Sequence, residues 1–111
     1  MKLTSLSELA TEFVSHNPAI QKKVMLRSGE LPHLTNFSQA RLAPGQIAAA
    51  HRHTDMYEVF FVEAGEGMIE IDQTPYPLQP GVCVAVEPGE RHEVSNTGTE
   101  ELVLTYFGVL A

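Results

Sequence analysis

The sequence has little that would tie it to an oxidising compartment, a polyanion or a bilayer. Cys83 is the only cysteine among 111 residues. A disulfide within the chain is therefore excluded, and a reducing cytoplasm is the expected location. Basic residues are scarce as well: seven Lys and Arg against fourteen Asp and Glu leave a formal charge of −7. Such a chain is repelled by phosphate backbones, so no nucleic-acid partner is expected. Lys22, Lys23 and Arg27 form the one loose basic cluster, and it reads as a solvated strand face. No apolar run approaches membrane-spanning length, and the N-terminus lacks the apolar stretch of a signal peptide, so no membrane association is expected. The length suits one domain with one core.

Two kinds of periodicity are present. Leu3, Leu6, Leu9, Ala10, Phe13 and Val14 follow helical spacing, which predicts an amphipathic helix over residues 3–16. Ser5 with Glu8 fits a capping box, and Asn17-Pro18 would end the helix. This divides the chain into a helical segment, residues 1–18, and a β domain, residues 19–111. From Ile20 onward the pattern is one of short strands. Val24–Leu26, Phe37–Leu42, Met68–Ile71, Tyr76–Leu78 and Leu102–Leu110 are candidates, separated by turns such as Ala43-Pro44-Gly45, Asp72-Gln73-Thr74 and Gln79-Pro80-Gly81. Val82–Val86 reads as a strand buried on both faces, with Cys83 an apolar core residue. Many short strands with Gly/Pro turns predict an all-β sandwich or barrel.

His51 and His53 cannot share a helix face, but on a strand they project from one side. Glu58 follows shortly and shares its strand face with Phe60 and Val62. Nitrogen and carboxylate donors converging from two adjacent strands make a candidate mononuclear metal site. Gly45, His51, His53, Glu58 and Gly65 then match G-x5-H-x-H-x4-E-x6-G at every fixed position. Gly81, Gly89, His92 and Asn96 match G-x5-P-x-G-x2-H-x3-N, with Glu87 standing where proline is usual. These two linked motifs resemble those of the cupin family, across about residues 40–107, and the chain looks like a small single-domain cupin of the cupin 2 type.

The resemblance implies a double-sheet jelly roll (double-stranded β-helix), here with the short N-terminal α-helix. It also adds His92 to the metal ligands His51, His53 and Glu58. Three imidazoles and one carboxylate suit one divalent transition metal per chain, whether Fe, Mn, Ni, Co, Cu or Zn, with open positions left for a ligand. Relatives of this kind include dioxygenases, isomerases, cyclases, decarboxylases and non-catalytic binding proteins. Two functions therefore stay open: a mononuclear metalloenzyme acting on a small organic substrate, with Glu58 as the catalytic base, and a metal-dependent small-ligand binding or sensor protein. Phe60 has the strongest claim among the apolar residues to border the metal, with Tyr57, Phe61, Met68, Tyr76, Cys83, Tyr106 and Phe107 as further lining candidates. Arg41 and Arg91 are candidate anion contacts; Arg52 points away from the histidines. Exposed sheet edges and the resemblance both suggest a homodimer, through the Leu102–Leu110 strand and the stripe at Leu6, Leu9 and Phe13.

Overall fold

A computed structural model describes residues 1–111. Ten strands follow one another as β1 (Glu12–Val14), β2 (Asn17–Arg27), β3 (Leu34–Leu42), β4 (Ile47–His51), β5 (Met56–Ala64), β6 (Gly67–Ile71), β7 (Thr74–Leu78), β8 (Cys83–Val86), β9 (His92–Ser95) and β10 (Leu102–Leu110). They form two sheets, ordered β1-β2-β3-β10-β5-β8 and β4-β9-β6-β7. Every pairing is antiparallel. The two inner faces enclose the core, as expected for a jelly roll.

Strand parity decides what enters that core. On β5, Glu58, Phe60 and Val62 are buried while Tyr57, Phe61 and Glu63 face out. On β10, Leu102 and Leu104 are buried, and Tyr106 continues their face. Tyr106 lies opposite Phe60 in the ladder, and the two rings stack with centroids 5.6 Å apart. Ile69, Leu78, Val86 and Val94 complete the interior from the other strands.

The N-terminal helix does not form. Only one turn is made, in which the Glu8 and Leu9 N–H groups donate to the Ser5 carbonyl at 3.0 and 3.1 Å. Ser5 Oγ contacts Ser7 Oγ instead of capping a helix. The chain then enters β1, which pairs with β2 and covers that sheet edge. A helix this short is marginal without a packed face. Leu3 and Phe13, two of its apolar positions, are exposed. Asn17-Pro18 accordingly begins β2 rather than ending a helix.

Val82–Val86 is also not buried on both faces. β8 is an edge strand; Val86 is buried and Val82 and Val84 half-buried, but Cys83 and Ala85 are exposed. The β6–β7 turn forms without glycine, with Asp72 at φ 47° and Gln73 at φ 71°, the positive pair that a type I′ hairpin requires.

Asn96, from the second motif, is a structural clasp. Its buried Nδ2 donates to the carbonyls of Leu42 and Glu100, both at 2.8 Å, and its Oδ1 accepts from the Gly98 N–H at 2.9 Å. It thereby ties the end of β9 to the end of β3 in the opposite sheet.

Candidate metal centre

Backbone pairing brings the four expected donors together. His51, the last residue of β4, lies opposite His92, the first of β9. His53 sits just beyond β4, where its carbonyl accepts the Gly89 N–H at 2.7 Å. That bond fastens the turn of the second motif onto the loop of the first, so Glu87 in place of proline leaves the geometry intact. Glu58 arrives from β5 in the other sheet. One ligand atom from each of His51, His53, Glu58 and His92 lies within 4.8 Å of every other. Atoms bonded to one ion at about 2.1 Å are at most roughly 4.2 Å apart, so only a small inward shift closes the set.

Hydrogen bonds orient the rings. His51 Nδ1 is 2.9 Å from the Ala49 carbonyl, and His92 Nδ1 is 3.1 Å from the Glu90 carbonyl. A carbonyl only accepts, so both Nδ1 atoms carry protons and both Nε2 atoms turn toward the centre. His53 Nε2 is buried with no hydrogen-bond partner, 3.5 Å from Glu58 Oε1. An unpaired ring nitrogen amid three other donors fits a divalent cation.

Protonation supports the same fit. His92 Nε2 lies 3.0 Å from Glu58 Oε1. Two lone pairs do not face each other at that distance, so without a metal a proton is shared there. Burial disfavours charge on His92, but its bonds to Glu58 and the Glu90 carbonyl outweigh this and hold its pKa above 6.5. Burial pushes His51 the other way, to about 4, opposed only in part by the Ala49 carbonyl. His51 is thus a neutral, ligand-ready imidazole near pH 7.

Beside the donors opens a cavity of ≈ 230 Å³. Its walls include Ile20, Ala40, Leu42, Phe60 and Leu104, with Tyr106 among the polar members. Of the expected lining residues only Phe60 and Tyr106 take part. Tyr57, Phe61, Tyr76 and Cys83 are exposed, and Phe107 packs edge-to-face on Phe37, centroids 6.3 Å apart. Met68 is not among the lining residues. Neither candidate anion contact reaches the cavity: Arg41 pairs with Glu101 at 2.6 Å, and Arg91 is exposed. Burial first, and then the charge of Glu58, push the Tyr106 hydroxyl up to about 12, so it remains a hydrogen-bond donor.

Among the lining residues that the sequence did not reveal are His16, Lys22 and Asn36. His16, in the β1–β2 turn, stacks on His51 with centroids 3.7 Å apart and planes 14° apart. Its outer edge is exposed, yet loss of water on the stacked side lowers its pKa, helped by the neighbouring histidines. The expected helix had no hairpin to carry it there. Lys22, expected on a solvated face, is half-buried and lines the same cavity. The signal for it was the parity Ile20, Lys22, Val24, with aliphatic residues on both sides.

A family model described as "Cupin domain" matches residues 38–108, well over half of the chain. The chain belongs to the cupin family. Among curated relatives, this cupin is 29% identical over 66 residues to an oxalate-binding protein of Thermotoga maritima, covering 60% of this chain and 54% of that protein. It is 31% identical over 67 residues to protein SchB of Streptomyces halstedii, covering 60% and 49%. The chain thus matches about half the length of each. The solved structure of a predicted oxalate decarboxylase from Thermotoga maritima superposes with a TM-score of 0.91, at 22% identity over 98% of this chain and 99% of that one. KdgF from Halomonas sp. superposes with a TM-score of 0.78, at 20% identity over 95% and 92%. At these identities the likeness is one of fold.

Proposed function

We propose that this cupin is a mononuclear metalloenzyme acting on a small organic substrate. The observation that carries the proposal is the juxtaposition of four convergent donors with a largely apolar cavity. His51, His53, Glu58 and His92 would hold one divalent transition metal. Such an ion supplies Lewis acidity or, if redox-active, a site for dioxygen. The chain's own residues do the rest. Glu58 is the only carboxylate lining the cavity, so it is the group there able to take a proton from a substrate. Tyr106 offers a hydroxyl proton to a substrate oxygen. Phe60 and Leu104 keep water from that wall.

Size limits the substrate. An apolar cavity of about 150 Å³ accommodates one benzene ring, so this one holds roughly a single substituted ring or an acid of similar bulk. Oxygenation, isomerisation, cyclisation and decarboxylation all remain open within that limit. The name of the Thermotoga oxalate-binding relative favours a second reading, metal-dependent binding without turnover. The test is an assay of the protein loaded in turn with Mn, Fe, Co, Ni, Cu or Zn against oxalate, 2-oxo acids and β-diketones, following oxygen uptake and product formation. Turnover abolished by EDTA and restored by one metal is expected. Calorimetric binding without turnover, aerobically and anaerobically, would establish the second reading instead.

Self-assembly is proposed as well. The outward face of the six-stranded sheet carries exposed Tyr57 and Phe61 beside the Phe37–Phe107 pair. β10 lies inside the sheet, so its outer face rather than its edge is available. A homodimer through this face would cover an apolar patch that monomers rarely expose. Light scattering should give a dimer mass, and Phe61→Asp should shift it toward monomer. A monomer mass for the unaltered protein at high micromolar concentration would refute the dimer.

A further inference from the structure

Lys22 occupies an inward position on β2, between Ile20 and Val24, which are 0% and 8% exposed. Directly across the ladder on β3 is Ala40, also buried. Lysine is among the residues least often placed on an apolar inner face without a partner. Here the Lys22 side chain makes neither a hydrogen bond nor an ion pair, although its charge, after that of Arg27, helps hold the Glu12 carboxyl below its usual range. The carboxylate opposite it on β1, Glu12, is engaged by the Arg27 guanidinium. The neighbouring Lys23 is accounted for, since its Nζ donates to the Leu6 carbonyl at 2.7 Å. The half-buried Lys22 lines the 230 Å³ cavity, where Glu58 is the only other formally charged lining residue.

Charge complementarity follows. With a divalent ion on three neutral imidazoles and one carboxylate, the metal end retains positive charge, and Lys22 adds more. A neutral occupant would strip water from the ammonium and return nothing, whereas a carboxylate would pair with it. Phosphate is the poorer match. The walls around Lys22 are Ile20, Ala40 and Leu42, and no arginine fork or cluster of backbone donors is present to take its remaining oxygens.

We propose that Lys22 is the anion-recognising residue of this cavity, binding the carboxylate of a small organic acid whose remaining body lies on the apolar wall and whose second oxygen function faces the His51–His53–Glu58–His92 donors. The second contact rests on the metal reading given above. The first does not, and it operates in the metal-free protein.

Salicylate is a suitable probe, being one ring with a carboxylate and an adjacent hydroxyl, and salicylamide is its neutral counterpart. Both are titrated calorimetrically into the protein, metal-free and Co(II)-loaded, for the wild type, K22M and K22R. Salicylate is expected to bind wild type in both forms, more tightly with Co(II), and to weaken with added salt. K22M should weaken it by about 10- to 100-fold in both forms, the worth of a charge-assisted hydrogen bond. K22R should stay within a few-fold of wild type. Salicylamide should bind weakly and indifferently to all three. If K22M lowers the melting temperature, K22Q carries the same expectation. Failure of the metal reading would show separately, as Co(II) that does not bind and equal salicylate affinities in the two preparations, with the dependence on Lys22 intact. The proposal is overturned if K22M binds salicylate as tightly as wild type, if salicylamide matches salicylate, or if wild type binds no salicylate in the millimolar range.

Discussion

Glu58→Ala and His92→Ala should each abolish stoichiometric uptake of a divalent metal, where the wild type takes up about one ion per chain. Loss of an outer-shell partner already costs metal sites roughly 10- to 100-fold in affinity, so removal of a donor should cost more than 100-fold. His51, His53 and His92 come from one side of the molecule and Glu58 from the other sheet, so a bound ion also bridges the two sheets. At a hundredfold excess over Kd it would stabilise the fold by about 2.7 kcal/mol, or on the order of 10 °C in melting temperature. The pH dependence has a definite sign. In the metal-free protein the raised His92 pKa contributes stability that is full below 6.5 and is lost as pH rises through the folded value. His51, depressed to about 4, contributes stability that is full above 6.5 and is lost as pH falls toward 4. Metal-free stability should therefore peak near the ordinary histidine pKa of about 6.5. The ion must displace the proton shared by His92 and Glu58, so the melting-temperature gap between metal-loaded and EDTA-treated protein should widen from about pH 6 to 8. Calorimetric metal titration with thermal melts across that range checks both parts. Unchanged affinity in Glu58→Ala, or a gap that narrows with pH, would refute the assignment.

His51, His53 and Glu58 were legible from local spacing, and His92 through its place in the second motif. The period of two puts His51 and His53 on one side, and the same parity buries Glu58 with Phe60 and Val62. The Leu102–Leu110 strand was found with its observed limits, since nine residues of mainly apolar chain after a polar turn admit little else. The helix over residues 3–16 failed because its apolar spacing competes with an interaction the sequence cannot display. The open edge of β2 offers Glu12–Val14 a backbone ladder, and an isolated short helix cannot match it. That failure hid His16. Cys83 and Ala85 were misplaced because burial of a β-branched run depends on whether its strand is central or at an edge, which is a property of topology. On the far wall of the cavity only Tyr106 was legible. Lys22 on β2 and Asn36 on β3 were not, because only the order β2-β3-β10 brings them to one face with it.

The largest loss of stability from a single methyl group is expected at Gly65, the last glycine of the first motif. Two constraints meet there. Its φ is +84°, in the left-handed region where a side chain costs about 1–3 kcal/mol. A Cβ would also press on the Glu101 carbonyl oxygen and lie 2.8 Å from Leu102 Cα. Both are backbone atoms at the start of β10, the strand held between β3 and β5, so neither can move aside without disturbing two ladders. Gly45, the first glycine of the same motif, separates the two effects: its φ is +85°, but nothing lies within 4 Å of its would-be Cβ. Gly45→Ala should therefore pay the conformational cost alone, about 1–2 kcal/mol. Gly65→Ala should pay that and the clash, about 3–5 kcal/mol, a large part of the 5–15 kcal/mol typical of a whole domain. Urea titrations of metal-free protein, with matching slopes for all three proteins, measure the difference. Equal losses at the two positions would show that the approach of residues 101–102 to Gly65 is not a constraint in solution. A larger loss at Gly65 would mean that this glycine serves the packing of β10 against the β5–β6 turn, while the histidines and glutamate of the same motif serve the centre.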